Sequence, residues 1–420
     1  MGMLRRLRIG QWLAVLALAI ASASCTALEP SPTLPAASRS PTTRATIHIG
    51  ARELADGRFI GLAFSGGGSR AAVFGAAVMK ELDRVGLLPQ VDVFSAVSGG
   101  ALPAAAYVLE GYRDFSFRNG FVEQIGRDFQ RAMLGPWYSV PQNALRYALT
   151  DSIPAEQVIQ VLDDRLFRGA TFADLNPSKP ILLMNATDAL TGEPLIISDE
   201  WFRALHRPLA SFSIARAVYM SAAYPGVLEP LAIPYGRAGE APSDQPPLLA
   251  YDGGVADNLG IRTLMLVVND ALSAQPMSDL FPQGCLVISI DATGRQGSES
   301  RTPLSAAAAL LRGHRRNVLE LAGIPAAQQD GTMFGTFRVG LNGGGGTCHF
   351  WHVALRQLPD SDPLGARVTG IKTNLGLTAE DQASLVEAAA RLVKKGREDM
   401  TRATDRAGFM AGPPALFSPP

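Results

Sequence analysis

Beyond its N-terminal region, the chain alternates short apolar runs with amphipathic stretches. The run RFIGLAF, residues 58–64, is apolar through its interior and predicts a buried β-strand. Glycines follow it, and then Phe74, Val78 and Leu82 recur at helical spacing, so the pattern predicts a helix that Gly86 ends. A strand, a glycine-marked turn and a helix therefore follow one another here.

The same pattern predicts further strands and helices. Further strands are predicted over residues 91–97, 180–198 (two strands joined around Thr191–Gly192), 247–254 and 285–293. Helices are predicted from Gly99 to about Leu109, over residues 211–223, and after Thr378, which forms a capping box with Asp381. Alternating strands and helices are typical of an α/β domain, so we expect a central, largely parallel sheet flanked by helices.

The first 25 residues have the layout of a secretory signal. Three arginines precede the apolar stretch QWLAVLALAIA, residues 11–21, which is short for a bilayer span, and small residues lead to Cys25. This arrangement resembles the bacterial lipoprotein signal, in which the cysteine is lipidated, although Ser22 stands where that pattern has leucine. We expect export to the periplasmic side of a bacterial membrane, with a lipid anchor on Cys25 and ordinary cleavage as the alternative.

Two segments next to the predicted domain have the composition of irregular chain. Residues 26–46 are rich in Pro, Ser, Thr and Ala and predict a flexible tether. The tail 411–420, which contains GPPALFSPP, is expected to be loose. One domain is therefore expected over residues 47–410.

Composition and charge exclude some classes of function. With 47% hydrophobic and 18% charged residues, the chain has enough apolar surface for a large core. Its 38 basic residues balance 38 acidic ones and form no long basic run, so a nucleic-acid partner is not expected.

Cysteines and histidines point to neither a metal nor a cofactor, because they show no metal-ligand spacing. In an oxidising compartment, Cys285 and Cys348 either form a disulfide or remain two buried thiols, and both possibilities are open. His349 and His352 lie in a predicted strand, and we expect them to share one face. A plain strand pair is favoured there over a metal pair or a triad histidine.

Three glycine-marked turns follow three of the predicted strands, and the first is SGGGSR, Ser65–Arg70. Bare backbone amides and a helix dipole in such a turn attract negative charge. The turn matches neither dinucleotide-binding nor P-loop spacing. Three interpretations are open: a phosphate cradle, a site for an oxyanion formed only during a reaction, and a tight turn without function.

The second turn, SAVSGG, places Ser98 between a predicted strand and a predicted helix. Ala96, Gly99 and Gly100 provide the small neighbours that a nucleophile elbow requires, since larger ones collide where strand and helix meet. The helix N-terminus would favour a developing alkoxide on Ser98. The alternative is a simple helix N-cap.

The third turn, YDGG, places Asp252 at the end of a predicted strand, where open α/β sheets carry their sites. The alternative is an Asp-Gly turn residue that stabilises its own backbone. Together, Ser98 as nucleophile, Asp252 as base and the amides of Gly67 and Gly68 as oxyanion donors would supply the parts of an acyl-transfer site.

These motifs, in this order and without a histidine beside them, resemble the patatin-like phospholipases. That family has Asp-Gly-Gly-Gly-x-Arg, then Gly-x-Ser-x-Gly, then Asp-Gly-Gly or Asp-Gly-Ala. This chain departs from it at Ser65 and Ala96, which replace the first residue of the first two motifs. The segment ARAVYMSAAYPGVLEPL also resembles the small-residue stretch that precedes the catalytic aspartate of the family. The resemblance runs from about Ile60 to Thr293.

The resemblance implies a three-layer patatin-like fold and a phospholipase A-type lipid acyl hydrolase that uses a Ser98–Asp252 dyad without a cofactor. Its substrates would be phospholipids or related lipid esters at a membrane surface. The implied oxyanion hole consists of the amides of Gly66, Gly67, Gly68 and Ser69. Gly100 and Arg70 would support the site, with Arg70 either bracing the loop, which is favoured, or steering a lipid phosphate.

Other functions are compatible with these motifs. One is a catalytically weak, lipid-binding membrane protein with the same fold, and another is a lysophospholipase or thioesterase. A nucleotide-binding module is disfavoured because the P-loop lysine is absent and the Asp252 turn would have no role in it.

Overall fold

A nine-stranded sheet forms the centre of the part of the chain that the structure describes. The computed structural model describes residues 56–109, 120–129, 131–132, 153–225, 227–236, 247–274, 276–294, 334–339 and 346–407. All of these residues lie within one unit of the chain, Thr43–Pro420. The predicted signal peptide 1–25 with Cys25, the tether 26–46 and the tail 411–420 lie outside the described residues.

Nine strands lie in the described part of the chain, and most of them coincide with apolar runs of the sequence. They are β1 (Arg58–Phe64), β2 (Val93–Val97), β3 (Ile181–Asp188), β4 (Pro194–Ile197), β5 (Leu231–Ile233), β6 (Leu248–Asp252), β7 (Gly284–Asp291), β8 (Phe334–Val339) and β9 (Gly346–Ala354). Their order across the sheet is β5-β6-β3-β2-β1-β7-β9-β8, with β4 also paired to β3.

The middle of the sheet is parallel and its margins are antiparallel. The series β3-β2-β1-β7-β9 pairs in parallel throughout. At one margin, β4 and β6 pair antiparallel with β3 and β5 pairs antiparallel with β6; at the other, β8 pairs antiparallel with β9. The parallel strands are near-continuous apolar runs because both of their faces are covered.

The strand order reverses at β1. From β1 the chain moves to β2 and β3 on one side, and it later returns to β7 and β9 on the other side. In open α/β sheets, the crevice outside the carboxyl ends of the strands at such a reversal is where ligands bind. The loop after β1 and the turn after β2 both open into this crevice.

Helices cover both faces of the sheet. They are α1 (Gly68–Arg84), α2 (Ala101–Val108), α3 (Phe121–Ile125), α4 (Ala155–Leu162), α5 (Asp199–Ala204), α6 (Ile214–Ala222), α7 (Gly254–Asp257), α8 (Ile261–Ala274), α9 (Met277–Leu280), α10 (Pro363–Gly370) and α11 (Ala379–Ala407). The larger core packs α1, α2, α6 and α11 against one face, and the smaller core packs α8 against the other. The predicted α/β fold, with a central sheet between helices, is confirmed.

The four predicted helices, α1, α2, α6 and α11, begin and end close to the residues that the sequence pattern indicates. Phe74, Val78 and Leu82 of α1 are fully buried in the larger core. Ahead of α11, the Asp381 amide donates to Thr378 Oγ1 at 3.1 Å and the Thr378 hydroxyl donates to the Asp381 carboxylate at 2.7 Å. The first bond is the N-cap half of the predicted capping box and satisfies one amide that a helix N-terminus otherwise leaves unpaired. In the second bond the Asp381 carboxylate accepts the Thr378 hydroxyl, and not the Thr378 amide that would complete the box.

The expectation that His349 and His352 share a face is wrong. Both lie in β9, but successive strand side chains point to opposite faces, so two residues three apart cannot face the same way. Consistently, Phe350 belongs to the smaller core, whereas Trp351 and Val353 belong to the larger one. The two histidines therefore form no pair.

Cys285 of β7 and Cys348 of β9 form a disulfide. The ladder places them opposite each other, because the next residues along, Leu286 and His349, are partners in the parallel pairing. A cross-link that spans 63 residues stabilises a fold by roughly 4 kcal/mol in the chain-entropy model. Of the two possibilities that the sequence leaves open, the structure contains the disulfide.

Candidate active site

The turn after β2 holds Ser98 in a backbone conformation that few non-glycine residues adopt. Ser98 has a φ of +52°; it directly follows the end of β2 at Val97 and is the first residue of a short 3₁₀ turn that leads into α2. This left-handed conformation costs about 1–2 kcal/mol for a residue with a Cβ atom. Strain of this kind characterises the sharp turn of a nucleophile elbow.

Two glycines after Ser98 allow the elbow to touch the glycine loop that follows β1. A Cβ atom on Gly99 would collide with the carbonyl oxygen of Gly68, and one on Gly100 would lie 2.7 Å from the carbonyl oxygen of Ser65. Neither carbonyl can move away without moving its own loop. The small residues around Ser98 are therefore required by the close approach of two backbones.

The pairing of β3 with two strands brings Asp252 to Ser98. β3 pairs with β2 as far as Val97 and Asn185, and with β6 from Asp252 and Ala186 onward. Because β4 occupies the other side of β3 here, β2 and β6 follow one another along the same side. Their ends meet, and the two side chains converge although 154 residues separate them in sequence.

Ser98 and Asp252 are joined by a direct hydrogen bond. Ser98 Oγ donates to Asp252 Oδ2 at 2.7 Å, and the Gly254 amide donates to Asp252 Oδ1 at 2.7 Å. Ser98 is 7% exposed and Asp252 is 4% exposed. Burial raises the pKa of Asp252 to about 6, although both hydrogen bonds act in the opposite direction. At neutral pH this carboxylate is ionised and is a stronger base than an ordinary aspartate.

Two of the four predicted oxyanion amides already have partners. The Gly66 amide donates to the carbonyl oxygen of Asn258 at 2.9 Å, and the Ser69 amide donates to that of Asn374 at 2.8 Å. An amide that donates to a backbone carbonyl is not available to a substrate oxygen. Of the four predicted oxyanion donors, Gly66 and Ser69 are therefore excluded.

The other two amides, of Gly67 and Gly68, have no hydrogen-bond partner among the described residues. Both residues have positive φ, +140° and +60°, in a turn that opens α1. Unpaired amides at the first turn of a helix also carry the positive end of its dipole. Gly67 and Gly68 can thus donate to an oxyanion beside Ser98.

Arg70 braces this loop from behind. Its Nε donates to the carbonyl oxygen of Ala292 at 2.7 Å, one terminal nitrogen donates to the carbonyl oxygen of Ile371, and the other donates to Thr373 Oγ1 at 3.2 Å. Burial lowers the pKa of Arg70 to about 10, against the opposing effect of the Asp291 carboxylate, so the side chain is charged at neutral pH. All three guanidinium nitrogens are in use, which favours bracing over phosphate steering.

The two positions that depart from the family motifs both have structural roles. Ser65 Oγ accepts a hydrogen bond from the Ala292 amide at 2.9 Å and so ties the end of β1 to the end of β7. Ala96 is fully buried in the larger core, where its methyl group packs. Neither departure removes a group from the Ser98–Asp252 pair.

Two residues at the site, Ser221 and Tyr224, were not predicted from the sequence. Ser221, at the end of α6, accepts a hydrogen bond from the Ser98 amide at 2.9 Å. Tyr224 is half-buried nearby, and burial together with the Asp252 carboxylate raises the pKa of its hydroxyl. Both lie in the segment ARAVYMSAAYPGVLEPL, which resembles a segment of the family. Its sequence does not indicate what either residue contacts.

No described histidine hydrogen-bonds to Ser98. The strand order separates β9 from β2 by three strand spacings, or roughly 14 Å, so the β9 histidines are remote from Ser98. His352 instead contacts the buried carboxylate of Asp291, with 3.2 Å between Nε2 and Oδ2. His48 and His314 lie outside the described residues.

Neither a metal site nor a membrane-spanning helix is found in the described part of the chain. Within it, no three His, Cys, Asp or Glu side chains are grouped so that they could hold a metal ion. None of the helices in the same ranges combines the length and the apolarity needed to cross a bilayer.

Residues 62–265 match the family model described as patatin-like phospholipase. The match begins within β1, ends within α8 and includes Ser98, Asp252 and the glycine loop. The family resemblance that the motifs indicate is therefore confirmed over these residues. No curated protein is significantly similar in sequence to this chain.

The fold is shared with a solved structure at low sequence identity. Human GIVD cytosolic phospholipase A2 superposes with a TM-score of 0.51 and 12% identity, over 84% of this chain and 62% of the human one. VipD from Legionella pneumophila gives a TM-score of 0.34 at 12% identity, over 81% of this chain and 67% of VipD. This chain thus spans less than two thirds of the human protein, and that likeness concerns the fold alone.

Proposed function

We propose that this protein is a serine hydrolase of acyl esters, acting on phospholipids or related lipid esters through a Ser98–Asp252 dyad. The observation that carries the proposal is the 2.7 Å hydrogen bond from Ser98 Oγ to Asp252 Oδ2 in a strained, buried elbow. The unpaired amides of Gly67 and Gly68 beside it, and the family match over residues 62–265, support the same assignment.

In the acylation step, Ser98 Oγ attacks the ester carbonyl carbon while Asp252 Oδ2 accepts the hydroxyl proton. The carbonyl oxygen becomes an oxyanion that receives hydrogen bonds from Gly67 and Gly68; loss of one such donor typically costs roughly 10²–10³ in turnover. The carbon–oxygen bond to the leaving alcohol then breaks, and Asp252 returns the proton to that alcohol. Ser98 is left as an acyl ester.

In the deacylation step, water replaces the alcohol. Asp252 accepts a proton from the water as its oxygen attacks the acyl carbonyl, and the same amides again bind the oxyanion. Ser98 Oγ leaves with the proton from Asp252, and a carboxylic acid is released. One aspartate thus serves as base and as acid in both halves, which requires a pKa above that of an ordinary carboxyl group.

The proposed location is the periplasmic side of a bacterial membrane, with a lipid anchor on Cys25. The layout of residues 1–25 supports export. The Cys285–Cys348 disulfide supports it as well, because disulfides persist mainly in oxidising compartments. An anchored enzyme would meet lipid esters at the membrane surface.

The proposal is tested by measuring fatty-acid release from phospholipid vesicles and by labelling the protein with an alkyl fluorophosphonate. We expect release, stoichiometric labelling of Ser98 in a mapped peptide, and loss of release after labelling. A label on another residue would contradict the dyad. Vesicle binding with neither release nor labelling would instead support the lipid-binding, non-catalytic alternative.

Replacing Arg70 with lysine is expected to reduce turnover by roughly 10- to 100-fold, because misplaced catalytic groups lose rate steeply. A lysine cannot reach the three acceptors that hold the glycine loop. The loss should be equal for a phospholipid and for a neutral acyl ester such as a p-nitrophenyl ester. Arg84→Lys is the matched control, since Arg84 lies on the exposed side of the same helix and pairs with Glu81. A loss confined to phospholipid would assign Arg70 to phosphate binding instead.

A further inference from the structure

Ser221 contacts the backbone on both sides of the proposed dyad. Its hydroxyl oxygen accepts the Ser98 amide at 2.9 Å, and its carbonyl oxygen accepts the Gly253 amide at 3.1 Å. The hydroxyl donates in turn to the carbonyl oxygen of Asn185 at 2.6 Å. Ser221 is fully buried, so water does not compete for these bonds.

We infer that Ser221 is a positioning residue that holds Ser98 in its left-handed conformation and in register with Asp252. The inference rests on the proposed function, because it concerns how the same dyad is aligned. Among the hydrogen bonds of the described residues, those of Ser221 go to backbone groups and not to the Ser98 hydroxyl or the Asp252 carboxylate. Ser221 acts through the Ser98 amide.

The Ser98 amide needs a partner from outside its own strand and helix. β2 ends at Val97, and the following 3₁₀ turn begins at Ser98, so its N–H belongs to neither a strand ladder nor a helical turn. A buried amide without a partner costs about 1–3 kcal/mol. The Ser221 hydroxyl removes this penalty only when the backbone of Ser98 is in a conformation that points its amide toward α6.

The direction of the hydroxyl proton makes the arrangement specific. The Ser221 hydrogen is committed to the Asn185 carbonyl, so the hydroxyl presents a lone pair, and not a proton, to the Ser98 amide. Asn185 is also the β3 residue that pairs with Val97, next to the partner of Asp252. One side chain therefore connects α6, the elbow and the strand that aligns both halves of the dyad.

Removing the hydroxyl should loosen the elbow without removing any reacting group. In Ser221→Ala, the Ser98 amide and the Asn185 carbonyl lose a shared partner, and the strained backbone can relax away from a φ of +52°. The Ser98 hydroxyl then contacts Asp252 less well. Because that hydrogen bond lowers the pKa of Asp252, its weakening raises the pKa further.

The test compares wild type, Ser221→Ala and Ser213→Ala on a soluble acyl ester over a range of pH. Ser213 is the matched control because it caps the other end of α6, through a 3.4 Å bond from the Arg216 amide, and contacts no part of the dyad. For Ser221→Ala we expect a 10- to 100-fold lower kcat, a nearly unchanged KM and an upward shift of the apparent pKa of kcat/KM. For Ser213→Ala we expect a lower Tm with wild-type kcat and pH profile.

Each outcome distinguishes the two proposals. If wild type neither hydrolyses esters nor reacts with a fluorophosphonate, the proposed function fails. If wild type is active and Ser221→Ala retains its kcat and pH profile, the positioning role alone is overturned. If Ser221→Ala does not fold, Ser221→Cys replaces it, because a thiol keeps the shape of the side chain but is a weaker hydrogen-bond acceptor. We then expect a smaller decrease in kcat and a smaller upward shift of the apparent pKa of kcat/KM. Wild-type kinetics in Ser221→Cys would overturn the inference.

Discussion

Replacing Ser98 with glycine is expected to abolish acyl release and, at the same time, to make the fold more stable than replacement with alanine. Both variants lack the proposed nucleophile, so each should lose turnover by roughly 10⁴-fold or more, to the level left by binding and the proposed oxyanion amides alone. They differ in their backbone preference. The φ of +52° at this position is strained for alanine and unstrained for glycine.

The expected difference in the free energy of unfolding between Ser98→Gly and Ser98→Ala is about 1 kcal/mol in favour of glycine. Urea unfolding of the two purified variants measures it, with fatty-acid release recorded on the same samples. Equal stabilities would mean that the elbow is not strained in solution. Turnover retained by either variant would mean that Ser98 is not the nucleophile.

Asp252→Asn is expected to lower kcat by roughly 10³- to 10⁴-fold, since it removes the base while keeping the shape of the side chain. The amide oxygen can still accept the Gly254 amide, and the amide nitrogen can donate to Ser98 Oγ, so the elbow should survive. In wild type, kcat/KM should rise with pH around the Asp252 pKa of about 6 and level off above it, because only the ionised carboxylate accepts the proton. An unchanged kcat in Asp252→Asn would exclude this aspartate as the base.

The same substitution should stabilise the protein in a pH-dependent way. The folded-state pKa of Asp252 is raised from 3.8 to about 6, so its contribution to stability is fully present below the ordinary pKa and is lost as pH rises through 6. Asparagine has no such loss. The advantage of Asp252→Asn over wild type in free energy of unfolding should therefore grow by about 2 kcal/mol between pH 4.5 and pH 8.

Chemical denaturation at both pH values measures this growth. Ser98→Ala serves as the inactive control, because it lacks turnover but keeps the ionisable carboxylate. An advantage independent of pH would show that Asp252 is not held with a raised pKa. The expected growth would mean that the proposed base is kept at the expense of stability.

The sequence by itself determined most of the strands, four of the helices and the chemistry-bearing turns. These follow from local rules: an apolar run such as 58–64 forms a strand, helical spacing of Phe74, Val78 and Leu82 forms a helix, and small residues permit a sharp turn around Ser98. Each rule uses neighbours within a few residues. The prediction that His349 and His352 share a face is wrong for an equally local reason. Side chains three residues apart lie on one face of a helix, whereas in a strand only those two apart do.

Only the tertiary structure decided which groups meet. The contact between Ser98 and Asp252 depends on β2 and β6 following each other along β3, a register set by long-range pairing and not by either motif.

The availability of an amide in the glycine loop depends in the same way on distant segments. Asn258 and Asn374 supply the carbonyl oxygens that occupy Gly66 and Ser69 and leave Gly67 and Gly68 unpaired among the described residues. The position of Ser221 and the Cys285–Cys348 bond have the same origin. A local pattern specifies which element a segment forms, whereas the partners of its polar groups come from segments that are distant in the sequence.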